Sequence, residues 1–337
     1  MKTTEKQLAN IGRNIDRLVT VEARISDLSR GVIAKLYEAA CEAQGGGPLS
    51  MLAARQIMDT LEPGKVVFLI TGAGDPQFLP AGETDGPPGL AALALAIHTA
   101  TGAVPMLFTD EPYVANVEAT TLACGLGIRD AALLAKTPFT TTVLPIAHGD
   151  AAEPQAKAYV ERFSPAMMIS IEKLGPNSEG VACSSTGTPT TPLRGRGECL
   201  FDEAKRAKIP TLGIGDNGNE LGFGLILDAV RKHKPNGERV GTRVSADVLV
   251  AAITSTRGAY GVEAALAAML GRPEIMHGVE TERRMLEACV RANGVDGSTG
   301  RHIMAVDGMP AEVQYAIVEM LGCIVRNGTL SGFKRGF

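Results

Sequence analysis

Six short apolar runs, each ending in small or polar residues, constrain the fold of this chain more than any other feature. Residues 66–70, 105–108, 141–146, 166–171, 211–214 and 248–253 read as strands. Helical stretches separate them, near 88–102, 113–125, 152–162, 199–208, 220–232 and 259–270. A strand that is apolar on both sides must be covered on both sides, and a helix after each strand supplies that cover. The expected fold is therefore α/β, a mostly parallel doubly wound sheet flanked by helices. Right-handed crossovers would bring the polar strand ends to one edge, where open sheets of this kind bind ligands.

An N-terminal helical segment, 1–62, precedes this α/β catalytic domain of residues 63–337, and the two are expected to form one compact unit. Ile11, Ile15, Leu18 and Val19, then Ile25, Leu28, Val32 and Leu36, recur at helical spacing. A Gly-Gly-Gly-Pro break at 45–48 leads into a further helix over 50–61. Such an arm caps an active site, contacts another subunit, or simply buries its apolar face. The tail carries helices near 279–293 and 310–326 around a glycine-rich loop holding Asp296 and Asp307.

Composition narrows the partners. The formal charge is −4, with no basic stripe interleaved with aromatics, which argues against a nucleic-acid or anionic-membrane partner. No uncharged run approaches the roughly 20 residues of a membrane span, and the polar start lacks a signal-like apolar region. Cys41, Cys124, Cys183, Cys199, Cys289 and Cys323 are scattered without a C-x-x-C pair, as in a reduced compartment. A cytoplasmic homo-oligomer acting on a small amino-acid or carboxylic-acid substrate is expected.

The polar strand ends carry the chemistry. After the fifth run comes Gly215-Asp-Asn-Gly-Asn-Glu220, which sets Asp216, Asn217, Asn219 and Glu220 among glycines. Glycine lets backbone N–H groups approach a ligand, and the carboxylates can bind an ammonium, hold a metal or move protons. The loop after the first run holds Glu83, Thr84, Asp85 and Gly86, stiffened by Pro80, Pro87 and Pro88. Its acidic residues either act on a ligand or complement the dipole of the next helix. Glu172-Lys173 ends the fourth run: Glu172 suits an acid or base and Lys173 an oxyanion or carboxylate, unless the two are a surface ion pair. Arg257 and Tyr260 follow the sixth run, where an arginine on a glycine-flanked turn suits carboxylate capture. The 175–198 segment, with Arg194 and Arg196, reads as a lid or a disordered loop. His148-Gly-Asp150 reads as structural, and His98, His233, His277 and His302 lack ligand spacing. Phosphate-loop, nucleophile-elbow and zinc-protease motifs are missing. The Gly213-Ile-Gly-Asp-Asn-Gly218 match to a dinucleotide fingerprint is weak, because its acidic and amide residues would face a pyrophosphate.

Three segments in order, Glu83-Thr-Asp-Gly-Pro-Pro-Gly89, Glu172-Lys-Leu-Gly-Pro-Asn-Ser-Glu-Gly180 and Gly213-Ile-Gly-Asp-Asn-Gly-Asn-Glu-Leu-Gly222, resemble the D-glutamate cyclase C-terminal domain family. The resemblance extends over about residues 10–325. It implies conversion of D-glutamate to 5-oxo-D-proline with loss of water. Longer members carry a hydro-lyase-like domain ahead of this one, for which this chain is expected to have no room. Many members have aromatic or His residues and an Asn before an Arg-Gly after the segment matching Glu179-Gly180. Here that stretch reads Val181-Ala-Cys-Ser-Ser-Thr-Gly-Thr-Pro-Thr190, which leaves the bound acid open.

Lactam formation needs a neutral amine, a polarised carboxyl group and a proton for the departing water. The expected assignment puts Asp216 and Glu220 around the ammonium or a divalent cation, Mg²⁺ or Mn²⁺, with Glu83 and Asp85 as further bases. Lys173 and Arg257 would hold the reacting carboxylate. Two other readings use the same residues: a hydrolase or lyase acting on another small amide, lactam or amino acid, and a non-catalytic sensor of a small carboxylic acid.

Overall fold

The structure, a computed structural model, describes residues 4–24, 30–75, 77–191 and 194–329. Ile25 and Leu28 lie outside the described residues. Six parallel strands form one sheet: β1 (Val66–Gly72), β2 (Val104–Asp110), β3 (Val143–Ile146), β4 (Met167–Lys173), β5 (Thr211–Gly215) and β6 (Val248–Ala251). Their spatial order is β3-β2-β1-β4-β5-β6, a doubly wound order that reverses direction between β1 and β4. Ligands in such sheets bind outside the carboxyl ends of the strands at that reversal.

Alternation along the strands divides the core. Val67, Leu69, Leu107, Met167, Ile169 and Ile171 face one layer, while Phe68, Ile70, Met106, Phe108 and Met168 face the other. Both sets are buried, which is why the strands read as unbroken apolar runs rather than alternating ones. The second layer is the smaller and is closed by α6 (Ala152–Phe163) and α7 (Glu198–Ala207).

The first layer is deep. The N-terminal helices α1 (Glu5–Val19), α2 (Val32–Ala43) and α3 (Leu49–Thr60) share one apolar core with α4 (Pro87–Thr101) and α5 (Val114–Cys124). Beyond α8 (Leu227–His233) and α9 (Gly237–Val240), α10 (Ser255–Leu270), α11 (Val279–Arg291) and α12 (Ala311–Thr329) complete it. Helix α10 is the hub, packed against α4, α3, α1 and α12. Small residues permit this: a Cβ on Gly89 would come 2.8 Å from the Thr256 Cα, so the starts of α4 and α10 touch through backbone. The arm is thus part of the core. At the end of α1, the Ile253 N–H donates to the Val19 carbonyl at 3.0 Å, which ties the following residues to the tip of β6.

Two helix starts differ from the sequence reading. Residues 221–223 are not helical; a 3-10 turn over Gly224–Ile226 leads into α8, which begins at Leu227. Gly222 has φ 114° and lies with its backbone against Gly213 of β5, while Gly222 and Phe223 bridge to Ser245. That left-handed glycine prevents an earlier helix. Conversely, α10 starts at Ser255, because the Thr254 hydroxyl caps it by accepting from the Arg257 N–H. Arg257 and Tyr260 are therefore helical, not on a turn. Among the described residues, no helix is long and apolar enough to cross a membrane.

Candidate active site

Three strand-end loops, the tail loop and one residue from the arm meet at the β1/β4 reversal. The loop after β1 is fixed by backbone pairing: Glu83 N–H donates to the Ala73 carbonyl, and Thr84 N–H to that of Val295 at 2.9 Å. The second contact also brings the tail loop over the sheet edge. In that loop Asp296 accepts from Thr299 N–H at 2.9 Å and Gly308 N–H at 2.7 Å, and Asp307 stands at φ 52°. Glu172, at the end of β4, has φ 54°, a conformation a non-glycine residue adopts only at some cost. A Cβ on Gly86, itself at φ 101°, would meet Thr71 Oγ1 at 2.5 Å and Glu172 Cβ at 3.0 Å. The acidic loop and the strained strand end can lie together only because that residue is glycine.

These elements border a cavity of about 610 Å³. Glu83, Glu172, Asp307 and Arg24 reach it, together with Asn217 and Asn219. The Arg24 guanidinium bridges the Asp216 and Asp307 carboxylates, and its second terminal nitrogen donates to Asn217 Oδ1 at 3.3 Å. Its Nε is buried and donates to nothing among the described residues. Burial alone would lower the pKa of Arg24, but Asp216 and Asp307 raise it above its ordinary value.

So many carboxylates under one cover must share protons. Burial raises Glu172 well above the usual carboxylate range, and Asp216, Asp85, Glu220 and Glu83 push the same way. Glu83 is raised likewise, by burial and then by Asp307, Asp85 and Asp216. Asp307 and Asp85 rise to about 6, burial again leading. Burial raises Asp216 too, against the opposing pull of Arg24. The floor therefore gathers carboxyl groups all shifted upward, two of them to about 6, within one cavity, an arrangement suited to acid–base chemistry.

The remaining sequence candidates divide into supports and distant groups. Asp85 caps α10, accepting from Ser255 N–H at 2.9 Å and Thr256 N–H at 2.8 Å, and it also accepts from Gly86 N–H at the start of α4 at 3.0 Å, so it complements the starts of both helices. Glu220 folds its own loop by accepting from the Asn217 and Gly218 N–H groups. A Cβ on Gly215 would strike Phe223 and Glu220, so this glycine serves packing. Thr84 is buried and its hydroxyl has no partner among the described residues.

Lys173 does not face the cavity. Its ammonium is fully buried on Asp110, whose other oxygen accepts from Gly195 N–H at 2.8 Å. This pair ties the ends of β2 and β4 to the 194–197 segment, and burial lowers the lysine pKa. The expected carboxylate-holding role is corrected because strand alternation turns Lys173 away from Glu172. Arg257 is fully buried beside Gln314 and borders no part of the cavity. Burial lowers its pKa to about 10, while Asp85 and Asp307 oppose that shift. Tyr260 donates to Glu282 and packs edge-on against His277, away from the acidic floor. His148 and Asp150 are exposed.

The 175–198 segment is folded where described. Asn177 Oδ1 accepts from Glu179 and Val181 N–H, each at 3.0 Å, and a hairpin closes at Cys183 and Pro189. Arg194 pairs with Glu198 and donates to the Leu174 carbonyl.

Sequence reasoning missed Arg24, Lys234 and the role of Asp307. Lys234 donates to Asn217 Oδ1 at 2.6 Å. Asp307-Gly308 in a glycine-rich loop was a visible turn signal, but a lone arginine between two helices gives none.

The sequence pattern of the family described as D-glutamate cyclase-like, C-terminal, matches residues 25–322. The mitochondrial D-glutamate cyclase of Homo sapiens is 28% identical over 193 residues, which is 56% of this chain and 30% of that protein. The match thus spans under a third of the human protein's length.

Proposed function

This chain belongs to the D-glutamate cyclase-like, C-terminal family, and from that premise we propose that it closes D-glutamate, or a closely related amino dicarboxylic acid, to its lactam with loss of water. The observation that carries the proposal is the cavity floor, where Glu83, Glu172 and Asp307 face the single guanidinium of Arg24. Ring closure forms a bond from the amine nitrogen to the side-chain carboxyl carbon and breaks a C–O bond there. A base must take the amine proton, and an acid must protonate the departing oxygen. Asp307, titrating near 6, suits the base. Glu172 and Glu83, raised by burial and by their acidic neighbours, suit the acid. Arg24, with its unpaired Nε, suits the substrate's other carboxylate. Asp216 and Glu220 act in this scheme through Arg24 and the loop backbone. Lys173, Arg257 and Tyr260 hold the frame.

A divalent cation would change these roles: with one bound, Glu172, Asp216 and Glu220 would be its ionised ligands and Glu83 alone would remain as the acid. Glu172, Asp216 and Glu220 place carboxylate oxygens within 4.8 Å of one another, a hard-oxygen set that suits Mg²⁺ or Mn²⁺. Bound there, such a cation would polarise a carboxyl oxygen.

Incubation with D-glutamate, with and without each metal, followed by chiral chromatography, is expected to show 5-oxoproline. The rate should fall as pH drops below about 6, because protonated Asp307 cannot accept the amine proton. A folded enzyme that yields no product from either enantiomer, and does not open 5-oxoproline, would sink the proposal.

A further inference from the structure

The cavity is larger than its acidic floor needs. A free amino acid of about ten non-hydrogen atoms fills roughly 150–200 Å³ at protein packing density, against about 610 Å³ here. That volume falls in the range of sites for larger ligands, roughly 300–1,000 Å³.

The surplus space has a wall of distinct chemistry. One side is the 183–190 hairpin, whose Ser184 N–H donates to the Thr188 carbonyl at 2.8 Å. Its hydroxyls form a connected row: Ser184 to Thr186 at 2.8 Å and Thr186 to Thr188 at 3.4 Å, all bordering the cavity. The tail loop adds Ser298 and Thr299. Each hydroxyl both donates and accepts, so the wall suits a polar group of either kind.

Asn219 stands where floor and wall meet. It is 2% exposed, and its Nδ2 donates to the Cys183 carbonyl at 2.9 Å, which fixes the carboxamide orientation. The residue borders the cavity, and its Oδ1 is buried and accepts from nothing among the described residues. A buried acceptor without a donor is costly, so the site favours a ligand that brings an N–H there. An amide on the substrate's side chain brings one; a free side-chain carboxylate does not.

The geometry points to γ-glutamyl amides, carrying a polar substituent on the amide nitrogen, as substrates of this site. The inference rests on the cyclising activity proposed above. The α-amine nitrogen attacks the side-chain amide carbon, and the bond from that carbon to the amide nitrogen breaks. The displaced nitrogen takes up a proton and leaves as a free amine beside 5-oxoproline. No water forms and no oxidant is needed. An amide carbonyl is also uncharged, whereas an ionised carboxylate resists a nucleophile.

The test compares γ-D-glutamylglycine with D-glutamate on the full chain, reading 5-oxoproline and released glycine. The amide is expected to give the higher kcat/KM, by at least about tenfold, with glycine and 5-oxoproline in equal amounts. In Thr186→Val the ratio of kcat/KM for the amide to that for D-glutamate should fall about tenfold. Turnover of D-glutamate without turnover of the amide overturns the inference and leaves the cyclase reading standing. No 5-oxoproline from either substrate overturns both. An amide-to-glutamate ratio unmoved by Thr186→Val overturns the assignment of the wall.

Discussion

Glu172→Gln is expected to lower the rate of ring closure by about a thousandfold while leaving the protein folded. Placed acids and bases contribute roughly 10²–10⁴ in rate, and a thousandfold corresponds to about 4 kcal/mol. Stability should change little, for three reasons. Glutamine keeps the shape and still accepts from the Ser255 hydroxyl, which donates to Glu172 Oε2. Burial and four acidic neighbours push Glu172 towards its uncharged form, which a neutral amide resembles. The φ of 54° is equally strained for either residue. The thermal midpoint should therefore stay within a few degrees of wild type. More than a tenth of wild-type kcat in folded Glu172→Gln would remove Glu172 from the chemistry.

Much of the fold was legible because its signal is local. All six strands occupy the runs where apolar residues are continuous, and the doubly wound sheet follows from the strand–helix alternation. The two misplaced helix starts share one cause: a tertiary contact set them. Gly222 is turned by the backbone of β5, and α10 is lengthened by the Thr254 cap and Asp85. The site was only partly legible for a related reason. Glu83, Glu172 and Asn219 could be found, since strand ends of one sheet converge on an edge. Whether a side chain at that edge faces the cavity depends on one residue of strand register, and so adjacent Glu172 and Lys173 part company. Arg24 was invisible because it reaches the floor by way of α1, from a region with no strand to place it.

The same distinction between site and frame governs His277, whose replacement by leucine is expected to cost about 3–5 kcal/mol of stability. The imidazole lies buried between two carboxylates. Its Nδ1 is 2.7 Å from Glu263 Oε2 and its Nε2 is 3.4 Å from Glu282 Oε2. Tyr260 donates to Glu282 from the same side. Burial would lower the histidine pKa, but Glu263 and Glu282 raise it to about 10. Leucine would strand both carboxylates in the interface of α10 and α11 without a counter-charge. Adding Glu263→Gln should recover part of the loss, because one stranded charge is then gone. A group whose folded pKa lies above its unfolded value, about 6.5 for histidine, stabilises fully below the lower value. Its contribution is then lost as pH rises through the folded value. Wild-type stability should accordingly decline between about pH 6.5 and 10, with a shallower decline in His277→Leu. None of these three residues borders the cavity, so kcat of the folded fraction should remain near wild type. Thermal or chemical denaturation across that pH range checks the expectation. A His277→Leu protein as stable as wild type at pH 7 would show that the carboxylates take up protons at little cost, and that the imidazolium does not hold α10 to α11.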